Sequence, residues 1–156
     1  MIRVLVIASI TFLVDQLSKM YVVHYLNLKE KLSIDVVSPI LNFRMAWNKG
    51  INFGLFSSGG DVSRIFLVAL SICICVGLLW WVRNSKNTIQ IFSVALIIGG
   101  ALGNALDRII FGAVADFLNM SCCGFRNPFS FNVADISIFM GAFALLFYSK
   151  KEDYQT

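Results

Sequence analysis

The chain has 156 residues, 58% of them hydrophobic and only 14% charged, and its mean hydropathy is +0.76. That composition excludes an ordinary soluble domain and implies a single-domain integral membrane protein, with room for about four helices of ~20 apolar residues each. The net charge of +4 is carried by basic residues scattered singly rather than in a stripe among stacking aromatics, which argues against nucleic acid as a partner.

Residues 2–26 read as the first span. The opening MIRVLVIASI has the look of a signal peptide, but no small-x-small cleavage site follows and Asp15 interrupts the run, so a retained helix is expected. Asp15 and Lys19 are spaced i,i+4 and share a helix face, where they can pair while pointing away from lipid; Gln16 and Ser18 add to this polar stretch. His24 falls at the interfacial end of the span.

Hydropathy then drops until about Asp61, with Pro39 marking a turn. Leu41, Phe43, Met45 and Trp47 alternate with Asn42, Arg44, Ala46 and Asn48, the period of a strand with one apolar face, so a small β element resting on the bilayer surface is expected. It leads into NKGINFG at 48–54, where Gly50 and Gly54 permit tight backbone geometry and Asn48 and Asn52 offer amide donors.

The second span is expected over 62–82, closed by Trp80 and Trp81 at an interface, and a short basic connector follows over 83–87. The third span is expected over 88–106, with Gly99, Gly100 and Gly103 letting a neighbouring helix approach closely. A short interfacial segment, 107–130, precedes a fourth span over 131–148. The fold class expected is therefore an all-α membrane protein of four transmembrane helices with a small extracytoplasmic β element. Arg3, Arg83, Lys86, Lys150 and Lys151 all fall on one side of this arrangement, which makes that side cytoplasmic and places both termini there.

Four cysteines and one histidine fit no metal-ligand spacing, so no metal and no cofactor is expected. Cys73 and Cys75 sit inside an apolar span, and the adjacent Cys122 and Cys123, which bridge only with strain, read as small unpaired residues.

The stretch from Gly99 to Asp135 carries the chemistry. A carboxylate near hydrocarbon costs on the order of 2.5–3.5 kcal/mol on insertion scales, so Asp116 and Asp135 call for a reason. The third helix runs outward and Asp116 lies just beyond it, while the fourth runs inward with Asp135 about four residues (~6 Å) past its outer end, so both carboxylates reach one membrane surface. Two carboxylates within a few ångströms share a proton, as an aspartic protease requires: one takes a proton from the attacking water while the other hydrogen-bonds the amide carbonyl. Asn48, Asn104, Arg108 and Asn132 stand where they can orient the pair or bind substrate carbonyls. Plainer readings compete: Asp116 as a solvated loop carboxylate, Asp107 with Arg108 as an interfacial ion pair, and Asp15 with Lys19 as a structural pair. A proton or ion relay would need ionisable groups spread through the membrane depth, whereas the third and fourth spans are polar only at their outer ends. A scaffold packing through GGALG leaves the carboxylates unexplained.

Five pieces in order, DQLSK at 15–19, NKGINFG at 48–54, GGALGNALDR at 99–108, VADF at 114–117 and FNVAD at 131–135, resemble lipoprotein signal peptidase, the signal peptidase II family of bacterial inner-membrane aspartic peptidases. The resemblance implies a catalytic dyad of Asp116 and Asp135. It also implies a supporting or substrate-binding shell of Asp15, Lys19, Asn48, Gly50, Gly100, Asn104, Arg108 and Asn132, with Asp107 a structural part of the same motif. Asn52 stands where the family usually has a small residue. The substrate implied is a diacylglyceryl-modified prolipoprotein, met in the lipid bilayer and cut just before the lipid-bearing cysteine, by a monomer whose active site faces the extracytoplasmic side.

Overall fold

Of the three long apolar helices Thr88–Phe111 is the most buried, as a helix in the middle of a bundle must be. The computed structural model describes residues 1–37, 40–50, 60–121 and 127–152, with the backbone alone at 60 and 148–152. In chain order these form α1 (Ile2–Lys19), continued by a π-helical stretch Met20–Tyr25, then α2 (Leu28–Lys31), β1 (Ser33–Val37), β2 (Leu41–Asn48), α3 (Gly60–Val82), α4 (Thr88–Phe111), β3 (Val114–Met120) and α5 (Val133–Glu152). The turn expected at Pro39, the 51–54 part of the NKGINFG segment, Cys122, Cys123 and Arg126 lie outside the described residues.

Helix α4 packs against α1, α3 and α5. Three of its glycines are the reason it can. A Cβ on Gly99 would stand 2.5 Å from the Ala8 carbonyl oxygen of α1, and one on Gly100 would stand 2.5 Å from the Ala134 carbonyl oxygen of α5. One on Gly103 would stand 2.5 Å from a carboxylate oxygen of Asp15. Without side chains there, the backbones meet directly, which is how helices associate where no hydrophobic driving force separates protein from lipid. Away from the sheet, Val4, Ala8, Cys75, Val82, Ile91, Val94, Ala95, Ile98 and Ala101 form one apolar core. Leu5, Ile10, Leu13, Phe66, Ile72 and Phe139 point outward and exposed, as side chains facing lipid do.

Three helical segments, Ile2–Tyr25, Asp61–Val82 and Thr88–Phe111, are long and apolar enough to cross a membrane, and Val133–Phe147 is a shorter apolar helix. Helix α5 starts at Val133 rather than at the expected 131, because Phe131 is taken by β3: its N–H and carbonyl both bond Leu118, at 3.0 and 2.8 Å.

Two further expectations are corrected. The third helix does not stop at 106. Ile109, Ile110 and Phe111 carry it on to Phe111, where Gly112 at φ +76° closes it with its N–H on the Arg108 carbonyl, so Asp107 and Arg108 lie within the last turns of a helix and not in a loop. The segment 107–130 is also not merely interfacial, since Val114–Met120 is a strand. It pairs antiparallel with β2, from Asn48↔Val114 to Leu41↔Met120, making a three-stranded sheet in the order β1-β2-β3. Most of β3 is buried, on both faces alike, so its sequence lacks the alternation that marks β2.

The sheet sits on its own apolar cluster, Val22, Val23, Leu28, Ala115 and Phe117, with Phe43 edge-on to Phe117 at 5.8 Å between ring centres. Replacing Gly99 with valine should force α1 off α4 at the Ala8 carbonyl and destabilise the fold by about 1–3 kcal/mol. A lowered thermal unfolding midpoint in detergent would show it, and an unchanged midpoint would contradict this close packing.

Candidate active site

Where α4 ends, β3 begins and α5 enters, five polar side chains converge: Asn48 from β2, Asn104 from α4, Asp116 from β3, and Asn132 and Asp135 at the start of α5. Asp116, Asn104 and Asn132 are buried.

Asp116 stands opposite Ala46 on the neighbouring strand. Its Oδ1 accepts from Asn132 Nδ2 at 2.7 Å and its Oδ2 from Asn48 Nδ2 at 3.1 Å. Asn48 is itself held by the Gly50 N–H, which donates to its Oδ1 at 2.9 Å. That bond directs the Asn48 NH2 toward Asp116, and it depends on the positive φ of +92° at Gly50, a backbone conformation natural to glycine.

Asp135 lies in the first turn of α5 and makes a reciprocal cap with Asn132. The Asn132 Oδ1 accepts the Asp135 N–H at 2.9 Å, while the Asp135 Oδ2 accepts the Asn132 N–H at 3.2 Å. Two first-turn donors that the helix cannot satisfy are thereby satisfied, and Asn132 becomes a bracket with one carboxylate on each side.

The direction of these bonds is set from deeper in the bundle. Lys19 Nζ can only donate, and it donates to Asn104 Oδ1 at 3.2 Å. Asn104 therefore turns its NH2 toward Asp135 Oδ1, at 2.8 Å, and its oxygen also receives Asn132 Nδ2 at 3.1 Å.

Behind this layer Lys19 pairs with Asp15 at 2.7 Å, as expected, and with Asp107 at 2.8 Å. The pairing of Asp107 with Arg108 does not form, because adjacent helix positions point in different directions. Arg108 instead places one terminal N–H 3.4 Å from the Asn104 carbonyl, and its buried Nε has no hydrogen-bond partner among the described residues. Gly100 contributes by absence, letting Ala134 of α5 lie directly against α4.

Gln16 is the member of this region that sequence reasoning noted only as polar: its Nε2 donates to Asp15 at 3.1 Å, to Asp107 at 3.1 Å and to the Gly103 carbonyl at 3.3 Å. The signal available was a carboxamide inside an apolar span, which needs partners wherever it lies.

Burial, and after it the neighbouring Asp135 carboxylate, push the Asp116 carboxyl from 3.8 up to about 6, against the opposing hydrogen bonds from Asn48 and Asn132 and the charge of Lys19. A carboxyl held there beside a second carboxylate can keep a proton near neutrality or give it up, as acid–base chemistry on an amide requires.

The comparisons with known proteins bear on what that chemistry serves. The family model described as Signal peptidase (SPase) II matches residues 7–151. The chain belongs to the signal peptidase II family. A lipoprotein signal peptidase of Pelagibacter ubique is 41% identical over 154 residues, covering 95% of this chain and 90% of that one. Another, of Rhodopseudomonas palustris, is 38% identical over 150 residues, covering 94% and 91%. A bacterial membrane enzyme solved by the in meso method at 1.9 Å superposes with a TM-score of 0.79 at 26% identity, covering 93% of this chain and 90% of that one. A second, at 2.3 Å, gives 0.78 at 24% identity, covering 98% and 90%, and shares the fold. Membership of the signal peptidase II family makes this chain an aspartic-type protease.

Because Asn48 favours the ionised form of Asp116, its replacement by leucine should move that carboxyl's titration further above about 6. Carboxyl carbon NMR of the detergent-solubilised protein reads this directly, and a titration that stays put would dismiss the Asn48 contact.

Proposed function

We propose that this chain removes signal peptides from prolipoproteins whose lipobox cysteine already carries diacylglycerol, cutting just before that cysteine, with Asp116 and Asp135 as the catalytic dyad. The observation that carries the reading is the Asn132 bracket, which binds Asp116 with its NH2 and the Asp135 N–H with its oxygen, so that two acids from different elements flank one side chain.

The ionised carboxylate takes a proton from a water as its oxygen attacks the scissile carbonyl carbon. The protonated one donates a hydrogen bond to the carbonyl oxygen, and the proton then passes to the leaving amine as the C–N bond breaks. Asn48, Asn104 and Asn132 hold the two carboxyl groups. The chemistry needs no cofactor.

Four spans are proposed, with α5 as the fourth, in the bacterial inner membrane. The N-terminus and the α3–α4 connection meet at one end of the bundle, where Met1, Arg3, Ser85 and Lys86 line a common cavity. Basic residues at that end favour a cytoplasmic assignment for it, which turns the sheet and the carboxylates to the extracytoplasmic face. There a signal-peptide helix and two acyl chains can arrive laterally from lipid while water arrives from outside. The enzyme is proposed to act as a monomer.

With a diacylglyceryl lipobox peptide in detergent, Asp116→Asn and Asp135→Asn should each lower cleavage by about 10²–10⁴-fold while the protein stays folded, and EDTA should leave activity intact. Normal cutting by either variant would remove the dyad. Because one carboxyl must hold a proton while the other is ionised, kcat/KM should fall as pH rises through about 6, the value at which Asp116 gives up its proton beside the Asp135 carboxylate. A profile flat across that region would contradict the acid–base role given to Asp116.

A further inference from the structure

The tripeptide Val-Ala-Asp occurs twice, at 114–116 and 133–135, each time ending in an aspartate of the dyad. In both copies the alanine N–H is a donor that regular structure leaves without a partner: Ala115 lies on an edge strand and Ala134 in the first turn of a helix. In both copies a buried carboxylate supplies the partner. The Ala115 N–H donates to Asp107 Oδ2 at 3.2 Å, and the Ala134 N–H donates to Asp15 Oδ1 at 2.9 Å.

These two carboxylates converge on one ammonium, with Lys19 Nζ 2.7 Å from Asp15 Oδ2 and 2.8 Å from Asp107 Oδ2. They also share one amide, Gln16 Nε2, at 3.1 Å from each. The peptide units just before the two dyad aspartates are thus tied together through four side chains of α1 and α4.

We propose that Asp15, Gln16, Lys19 and Asp107 form a single positioning device that sets the separation of the two catalytic aspartates by holding the backbone N–H of the residue before each. The proposal rests on the dyad reading given above. None of the four is a catalytic residue, since the device acts through the peptide backbone of Ala115 and Ala134. It explains why two acids and a lysine are kept in the bundle away from the reacting groups: one compact ion cluster, braced by rigid helices, spans a gap between a strand and a helix that no backbone pairing closes. Gly103 belongs to the same arrangement, because a side chain there would occupy the position of Asp15 Oδ2.

The test compares Asp107→Leu, Asp107→Asn, Gln16→Met and, alongside, Asp116→Asn, by kcat, KM and the pH profile of kcat on a diacylglyceryl lipobox peptide, all per folded enzyme. Losing the Ala115 anchor in Asp107→Leu should cut kcat by about 10²-fold with KM little changed, and should displace the alkaline limb, because the Asp116 to Asp135 distance has altered. Asp107→Asn keeps an oxygen for the Ala115 N–H and should recover most of that loss. Gln16→Met keeps the length of the side chain but none of its donors, and should lower kcat by about three- to tenfold with the same displacement.

Should Asp107→Leu fail to fold, Gln16→Met and Asp107→Asn decide the matter. A wild-type kcat and alkaline limb in Gln16→Met, a loss expressed in KM alone, or an Asp107→Asn no better than Asp107→Leu overturns the positioning device while an inactive Asp116→Asn leaves the dyad standing. Full activity in Asp116→Asn overturns the dyad, and the device with it.

Discussion

One ammonium group organises this molecule. Lys19 is buried; its Nζ donates to Asp15 and Asn104 at 2.7 and 3.2 Å and forms an ion pair with Asp107 at 2.8 Å. Removing a cation and two anions from water is expensive, and their mutual attraction offsets that cost only when geometry is good and the remaining lone pairs are used. Here they are used: Asp15 also accepts from Ala134 and Gln16, and Asp107 from Ala115 and Gln16. Because an ammonium cannot accept, it also sets the sense of the hydrogen bonds running on through Asn104 and Asn132 to Asp135 and Asp116.

Such a cluster can exist between apolar helices only because α4 is thin where it matters. Gly99 and Gly100 let α1 and α5 lie against it, and Gly103 leaves the volume that the Asp15 carboxylate fills. The small residues and the charged ones are therefore two parts of a single arrangement. A bulky α4 would separate the helices and leave the acids facing lipid, where each would lack the partners just described.

Much of this was legible in the chain. Composition identified the apolar helices, the i,i+4 spacing of Asp15 and Lys19 produced the ion pair observed, and the alternation over Leu41–Asn48 predicted β2. What escaped has physical causes. β3 is buried on both faces and shows no period of two, and the reach of α4 past Asp107 depends on Gly112 adopting a left-handed conformation. The partner of Asp107 was misread because adjacency in sequence is not adjacency on a helix, and the salt bridge it does make joins residues on different helices. Gln16 carried a sign of its role in being polar within a span, but its two acidic partners are brought together only by the packing of α1 on α4.

The sheet has a bearing on biogenesis. Its middle strand precedes α3 in the chain, whereas the strand that carries Asp116 follows α4. As the polypeptide emerges from the ribosome, β1 and β2 can form a hairpin early, yet their third partner does not exist until two more helices have been synthesised. Closure over so long a loop is entropically unfavourable unless the helices have already drawn its ends together. Asp116 consequently reaches its place late in maturation, and a half-translated chain cannot yet bring Asn48, Asp116 and Asn132 together.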